Sequence, residues 1–180
     1  MPKPTNVQNA NAVRKREVAS DRFYTPDTLV RIHLSTLQTN DRILVYEPFA
    51  GSGNYYNMFP EYFPNAMYDW SEIDNGRDFF TYDVGTIPDI IVSNPPFSIL
   101  KQVIERLIQL KPKIISLLLH MHAVTPCRIR RFNEAGYFVT GYHLTRVNRW
   151  FGVSCIITFS SDAKENIITF DCIKHILQSG

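Results

Sequence analysis

Asp89-Ile90-Ile91-Val92-Ser93-Asn94-Pro95-Pro96-Phe97 is the stretch that decides the fold. Its first five residues are a short, almost wholly apolar run, the pattern of a strand buried on both faces. Two prolines then end any strand, because neither can donate a backbone hydrogen bond. An amphipathic helix follows over Ser98 to Leu110, and a second buried strand over Lys113 to Leu119. Strand, helix and strand at this spacing make a parallel crossover unit.

The same alternation extends in both directions. Upstream, Thr25-Pro26 predicts a helix start, with Thr25 as N-cap and Pro26 at the first helical position. Leu29, Val30, Ile32, His33, Leu34 and Leu37 carry that helix. Strands are expected at Arg42 to Tyr46 and Ala66 to Trp70, with a brief one at Phe79 to Tyr82, and a short helix at Asn54 to Phe59. Downstream, Pro126 to Ala135 reads as a helix stopped by Gly136. Tyr137 to Leu144 and Val153 to Phe159 read as a strand pair, antiparallel in the simplest arrangement. The sum is an α/β chain with a mostly parallel sheet and helices on both faces. In such sheets ligands sit beyond the carboxyl ends of the strands, and the unusual residues all fall there.

The composition fits a globular protein: 44% hydrophobic and 20% charged residues over 180. Residues 1–20, with Arg14-Lys15-Arg16, read as a flexible basic arm, and 21–180 as one domain. A formal charge of +2 permits nucleic-acid binding without arguing for it. Cys127, Cys155 and Cys172 are widely spaced and read as reduced, buried thiols of a cytoplasmic protein. No apolar run approaches the roughly 20 residues of a membrane span, and Met1 to Ser20 lacks the core of a secretory signal. His33, His120, His122, His143 and His175 share no ligand spacing with Cys or acids, so no metal is assigned.

Three strand ends carry candidate chemistry. Glu47-Pro48-Phe49-Ala50-Gly51-Ser52-Gly53 follows the first strand. Its glycine pair lets a ligand approach the backbone, although a tight turn would use the same residues. Tyr56 stands where a dinucleotide fingerprint has its third glycine, and Glu47 would repel a phosphate but suit an ammonium group. After the second strand, Glu72 can accept from ribose hydroxyls and Ile73 can pack on a purine. Asp78-Phe79 offers a carboxylate beside a ring, although a surface aspartate in a glycine-containing loop reads equally well. At the third strand end, the Asn94 side-chain oxygen and the Pro95 carbonyl can accept from one NH2 group. Such acceptors favour a pyramidal nitrogen and stabilise the positive charge that develops as it attacks a methyl donor. Phe97 offers a stacking face for a base turned out of its helix.

These motifs resemble those of the amino-group methyltransferases that act on nucleic acids. Asn94-Pro95-Pro96-Phe97 is similar to that family's catalytic (D/N/S)-P-P-(Y/F/W) motif, in the form seen chiefly in adenine-N6 enzymes. Glu47 to Gly53 resembles its cofactor motif, and Phe23-Tyr24-Thr25-Pro26 the segment that clamps the methionine end of S-adenosylmethionine. Glu72 and Asp78-Phe79 match the ribose- and adenine-contacting positions. The resemblance implies a Rossmann-like, seven-stranded class I methyltransferase sheet with its antiparallel strand at Val153 to Phe159. It implies S-adenosylmethionine as cofactor and DNA adenine N6 as the methylated atom. RNA is the alternative, cytosine N4 and protein glutamine are weaker ones, and a catalytically silent nucleic-acid-binding subunit is the rival from another class.

The sequence departs from the family in two places. Five residues between Glu72 and Asp78 leave little room for the helix that usually separates strands two and three. No segment is large enough for a target-recognition domain, as in small orphan enzymes of viruses and mobile elements, which implies short or weak sequence specificity or help from a second copy or a recognition partner. Lys101, Arg146, Asn148, Arg149 and Trp150 are the candidate nucleic-acid contacts on the ligand edge. The loop that holds the last four reads equally well as a hairpin anchor with solvated arginines.

Overall fold

The structure is a computed structural model, and it describes residues 24–146 and 153–170. The proposed arm at 1–20, Phe23, Asn148, Arg149, Trp150, Cys172 and His175 lie outside those residues.

In chain order the elements are α1 (Asp27–Ser35), β1 (Leu44–Glu47), a 3-10 turn (Tyr56–Met58) running into α2 (Phe59–Tyr62), and β2 (Met67–Trp70). Then come β3 (Ile90–Ser93), a 3-10 turn (Phe97–Ile99) leading into α3 (Leu100–Leu110), and β4 (Ile114–His120). α4 (Pro126–Glu134), β5 (Phe138–Thr145) and β6 (Ser154–Ser160) complete the described elements. The strands form one six-stranded sheet in the order β2-β1-β3-β4-β6-β5. β1 pairs parallel with β2 and β3, and β3 parallel with β4, whereas β6 runs antiparallel to both β4 and β5. The expected mostly parallel sheet with one antiparallel strand is therefore present, with β6 in that role.

Side-chain alternation along the strands sends successive residues into two cores, as period-2 geometry requires. Val45, Ile90 and Val92 join Val30 and Leu34 of α1 and Phe59 of α2 on one face. Tyr46, Ile91, Ile115 and Leu117 join Val103 and Leu107 of α3 and Ile129 and Phe132 of α4 on the other. Leu100, Val103, Ile104 and Leu107 are the buried stripe of α3, at the i, i+3, i+4, i+7 spacing of an amphipathic helix. Asp89 fastens the strand entrances together: it accepts from the Leu44 amide at 2.9 Å and pairs with Lys113 at 3.0 Å.

Four expectations are corrected. The sheet has six strands among the described residues rather than seven, because Phe79 to Tyr82 is a turn. The amides of Thr81 and Tyr82 both bond the Asp78 carbonyl, and Phe79 is buried against Tyr46 and Phe49, so this segment curls under the sheet instead of pairing with β2. The short helix expected from Asn54 starts later, at Tyr56. Thr25 does not cap α1: the N-cap is Pro26, and the Thr25 hydroxyl accepts from the Asn94 amide. Cys127 is exposed, whereas Cys155 is buried as expected. No helix among the described residues is long and apolar enough to cross a membrane.

Candidate active site

The strand register brings the carboxyl ends together. Glu47 lies opposite Trp70, and His120 opposite Ser154, which itself pairs with Thr145. Beyond the ends of β1, β2 and β3 opens a cleft of about 300 Å³, at the lower end of the size range of small-molecule sites. Of the residues singled out from the sequence, Tyr24, Thr25, Glu47, Pro48, Phe49, Ala50, Gly51, Glu72, Ile73, Asp78, Phe79, Asn94 and Pro96 line it. Pro26, Gly53, Pro95, Phe97, Lys101 and Arg146 do not.

The glycine turn is held from two sides. The Ala50 amide donates to the Ser71 carbonyl at 3.0 Å and the Gly51 amide to Glu72 Oε2 at 2.8 Å, tying the end of β1 to the end of β2. Gly51 and Gly53 have φ of +53° and +83°, backbone that disfavours any residue with a Cβ. Glu72 also accepts from the Asp74 amide through Oε1 at 3.2 Å. Each of its oxygens thus holds one backbone donor and retains a second lone pair for a ligand hydroxyl.

Glu47 is 1% exposed, and its Oε2 accepts from the Tyr56 amide at 3.0 Å. Burial drives its pKa well above the ordinary carboxylate range; the Tyr56 hydrogen bond opposes this, and the nearby Glu72 charge adds to it. Asp74 and Asp78 also line the cleft, and among the described residues no Lys or Arg does. A wall that gathers four carboxyl groups favours a cationic ligand and disfavours a phosphate.

At the third strand end, Asn94 Nδ2 donates to Thr25 Oγ1 at 3.1 Å, which couples the segment before α1 to the end of β3. Asn54 Nδ2 adds a bond to the Thr25 carbonyl at 2.9 Å. Phe97 stands outside the cleft and is 40% exposed at the head of the turn into α3. Lys101 in the first turn of α3 and Arg146 just after β5 are exposed on the same edge of the sheet.

The cleft also contains residues that sequence reasoning missed: Ser52, Asn54, Tyr55, Asp74, Asn75, Phe80 and Ile99. All of them lie inside the motifs or within two positions of one, so extending each motif by two residues would have found them. The contacts of Tyr55 are another matter. Its hydroxyl bonds the buried His33 ring, a tertiary contact across 22 residues that no local pattern announces.

No protein-family model matches the chain, and no curated protein matches it in sequence. Solved structures do match in fold. The chain is similar to 1,6-didemethyltoxoflavin-N1-methyltransferase of Burkholderia thailandensis, bound to its substrate and S-adenosylhomocysteine, with a TM-score of 0.63 at 12% identity, covering 89% of this chain and 92% of that one. It is similar to magnesium protoporphyrin IX methyltransferase of Synechocystis PCC 6803 with bound SAM, with a TM-score of 0.54 at 13% identity over 89% and 86% of the two chains. A candidate RNA methyltransferase of Pyrococcus horikoshii matches with a TM-score of 0.53 at 14% identity over 88% and 90%. At such identities the likeness is one of fold: the chain has the Rossmann-like sheet found in these methyltransferases.

Proposed function

We propose that the chain transfers a methyl group from S-adenosylmethionine to the N6 amino nitrogen of adenine in DNA. The observation that carries this reading is that one cleft joins the glycine turn, Glu47, Glu72 and Asp78-Phe79 to Asn94 and Pro96. The acidic wall fits a cofactor with an ammonium and a sulfonium and no phosphates. Glu47 and Gly51 would hold the amino-acid end, Glu72 the ribose, and Ile73, Asp78 and Phe79 the adenine. Tyr24, Thr25 and Pro26 would close over the methionine side, beside Pro48, Phe49, Ala50 and Gly53. Two of the structural neighbours were solved with S-adenosylmethionine or its demethylated product.

When bound, the cofactor supplies an electrophilic methyl group on sulfur. The chain's own residues then act on the acceptor. Asn94 Oδ1 and the Pro95 carbonyl receive the two N–H bonds of the amino group, draw its lone pair out of conjugation, and stabilise the charge that grows on nitrogen. The rigid Pro95-Pro96 backbone keeps these acceptors fixed during the reaction. Exposed Phe97 provides a stacking surface for the extruded base. No strong base is required, because the methylated nitrogen loses its surplus proton to water.

RNA is the second reading, favoured by the fold shared with the candidate RNA methyltransferase of Pyrococcus horikoshii. Incubation with methyl-labelled S-adenosylmethionine and either DNA or RNA, followed by mass spectrometry of the nucleosides, separates the two. The expected product is N6-methyladenine in DNA, at many sequence contexts. Label confined to RNA moves the assignment to that substrate. Asn94→Ala should lower turnover by roughly a hundredfold or more, the scale of losing a preorganised hydrogen-bonding group, with cofactor affinity nearly intact. Undiminished turnover in that variant removes the mechanism.

A further inference from the structure

Beneath the cleft a chain of buried polar groups crosses the layer between α1 and the sheet. The Asn94 amide donates to Thr25 at 3.1 Å, and the Thr25 hydroxyl lies beside the buried Tyr55 phenol, where it favours the phenolate as a donor does. Tyr55 Oη meets His33 Nδ1 at 2.8 Å, and His33 Nε2 meets Ser116 Oγ at 2.8 Å. Ser116 in turn meets the Thr158 hydroxyl at 2.8 Å. Thr25, His33, Tyr55 and Ser116 are all buried, and their neighbours in this layer are apolar, Val30 and Leu34 among them. Apolar side chains would fill the same space without needing partners. A polar chain that begins at the proposed catalytic asparagine calls for an account beyond packing.

Its direction supplies one. Every hydroxyl has a single proton to donate. With Asn94 Nδ2 donating to Thr25, the Thr25 proton passes to Tyr55, the Tyr55 proton points at His33 Nδ1, and His33 carries its own proton on Nε2 toward Ser116. In the opposite tautomer Tyr55 would donate to Thr25, which frees the Thr25 proton to turn to Asn94 and lets the amide present its oxygen there. The amide would then offer NH2 to the cleft, where a methyl-accepting amino group needs oxygen. Burial keeps His33 neutral, its pKa pushed down to about 3, so the ring always has one donor and one acceptor.

We infer that His33 and Tyr55 are positioning residues that, acting through Thr25, hold the Asn94 amide with its oxygen presented to the acceptor nitrogen. This rests on the methyl-transfer reading given above. His33 does not line the cleft, so its effect is separable from cofactor contact.

The test compares His33→Leu, His33→Asn, Tyr55→Phe and Asn94→Ala with the unaltered chain, measuring kcat for methyl transfer, cofactor Kd by calorimetry, and the melting temperature. His33→Leu should lower kcat about tenfold or more, a partial loss of one preorganised acceptor, with cofactor Kd within about twofold of the original. His33→Asn keeps an acceptor oxygen near the Nδ1 position and should recover most of that kcat, even though both variants lower the melting temperature. Tyr55→Phe retains the ring while breaking the chain, and should slow turnover as His33→Leu does, which preserves the test if the leucine variant does not fold. Equal slowing by Leu and Asn, or cofactor affinity falling in step with kcat, would make the role structural and overturn the inference. If Asn94→Ala is inactive while His33→Leu and Tyr55→Phe keep full kcat, positioning fails and the methyl-transfer reading survives. Full turnover by Asn94→Ala overturns both.

Discussion

At the scale of single residues, two buried titratable groups with pKa values shifted in opposite directions give the molecule two pH signatures. Glu47 is held protonated above the ordinary carboxylate range by burial and by Glu72. An ammonium group arriving beside it favours the ionised form, so cofactor binding should expel a proton and tighten as pH rises through the Glu47 titration. Calorimetry in buffers of different protonation enthalpy would register that release. Glu47→Gln should abolish it and weaken binding roughly ten- to a hundredfold, the worth of a hydrogen bond to a charged group. A cofactor affinity independent of pH would contradict the assigned contact. The His33 pKa is shifted in the other direction, and it acts on stability rather than on binding. Its folded pKa near 3 lies below its ordinary 6.5, so the unfolded chain binds the extra proton between those values. Its contribution is complete above pH 6.5 and declines as pH falls toward 3, by up to about 1.4 kcal/mol per pH unit. Urea midpoints at pH 7 and pH 4.5 should differ accordingly, and less so in His33→Asn.

The elements show what was legible in the sequence and what was not. β3, β4 and α3 were readable because a buried strand and an amphipathic helix announce themselves by local pattern, in Ile90 to Ser93 and in Leu100, Val103, Ile104 and Leu107. Phe79 to Tyr82 misled because two apolar rings in a row resemble a strand, whereas Phe79 is buried by a turn that the Asp78 carbonyl closes. Thr25 misled for a related reason: its hydroxyl has a tertiary partner, Asn94, that lies 69 residues away. Glu47 to Gly51, Glu72, Ile73, Asn94 and Pro96 were readable as cleft positions because each group follows a strand end, whereas Tyr24 and Thr25, which precede α1, were reached only through the motif they resemble. The chain through Tyr55 and His33 was not readable, since its links join α1, the glycine turn and β4. That glycine turn carries its own prediction. A Cβ on Gly53 would lie 3.0 Å from Asn57 Nδ2 on backbone at φ +83°, so Gly53→Ala should cost about 1–2 kcal/mol. For a domain of this size the melting temperature should fall by roughly 2–8 °C. An unchanged melting curve would mean that the turn can rearrange around the methyl group.

Across the whole molecule, charge is divided between the cleft and its rim. Glu47, Glu72, Asp74 and Asp78 gather in the cleft wall, while the net formal charge of the chain is +2, and the basic side chains among the described residues lie outside that wall. The topology puts two of them on the carboxyl edge of the sheet, the edge at which the cleft opens. α3 starts where β3 ends, and β5 runs parallel to β4, so Lys101 and Arg146 project from the same sheet edge at which Asn94 stands. A polyanion drawn to such a rim would bring its bases over the cleft while its phosphates stay clear of the carboxylates. This arrangement has a thermodynamic signature. Each phosphate neutralised releases condensed counterions, so the logarithm of affinity should fall with the logarithm of salt, with a slope of about 0.9 per contact on duplex DNA. Lys101→Ala and Arg146→Ala should each reduce that slope by about one and weaken binding similarly for every DNA sequence. Cofactor affinity should stay as it was, because neither residue lines the cleft. If the slope is unchanged in both variants, the polyanion approaches from another face, and Phe97 cannot be the surface that receives its base.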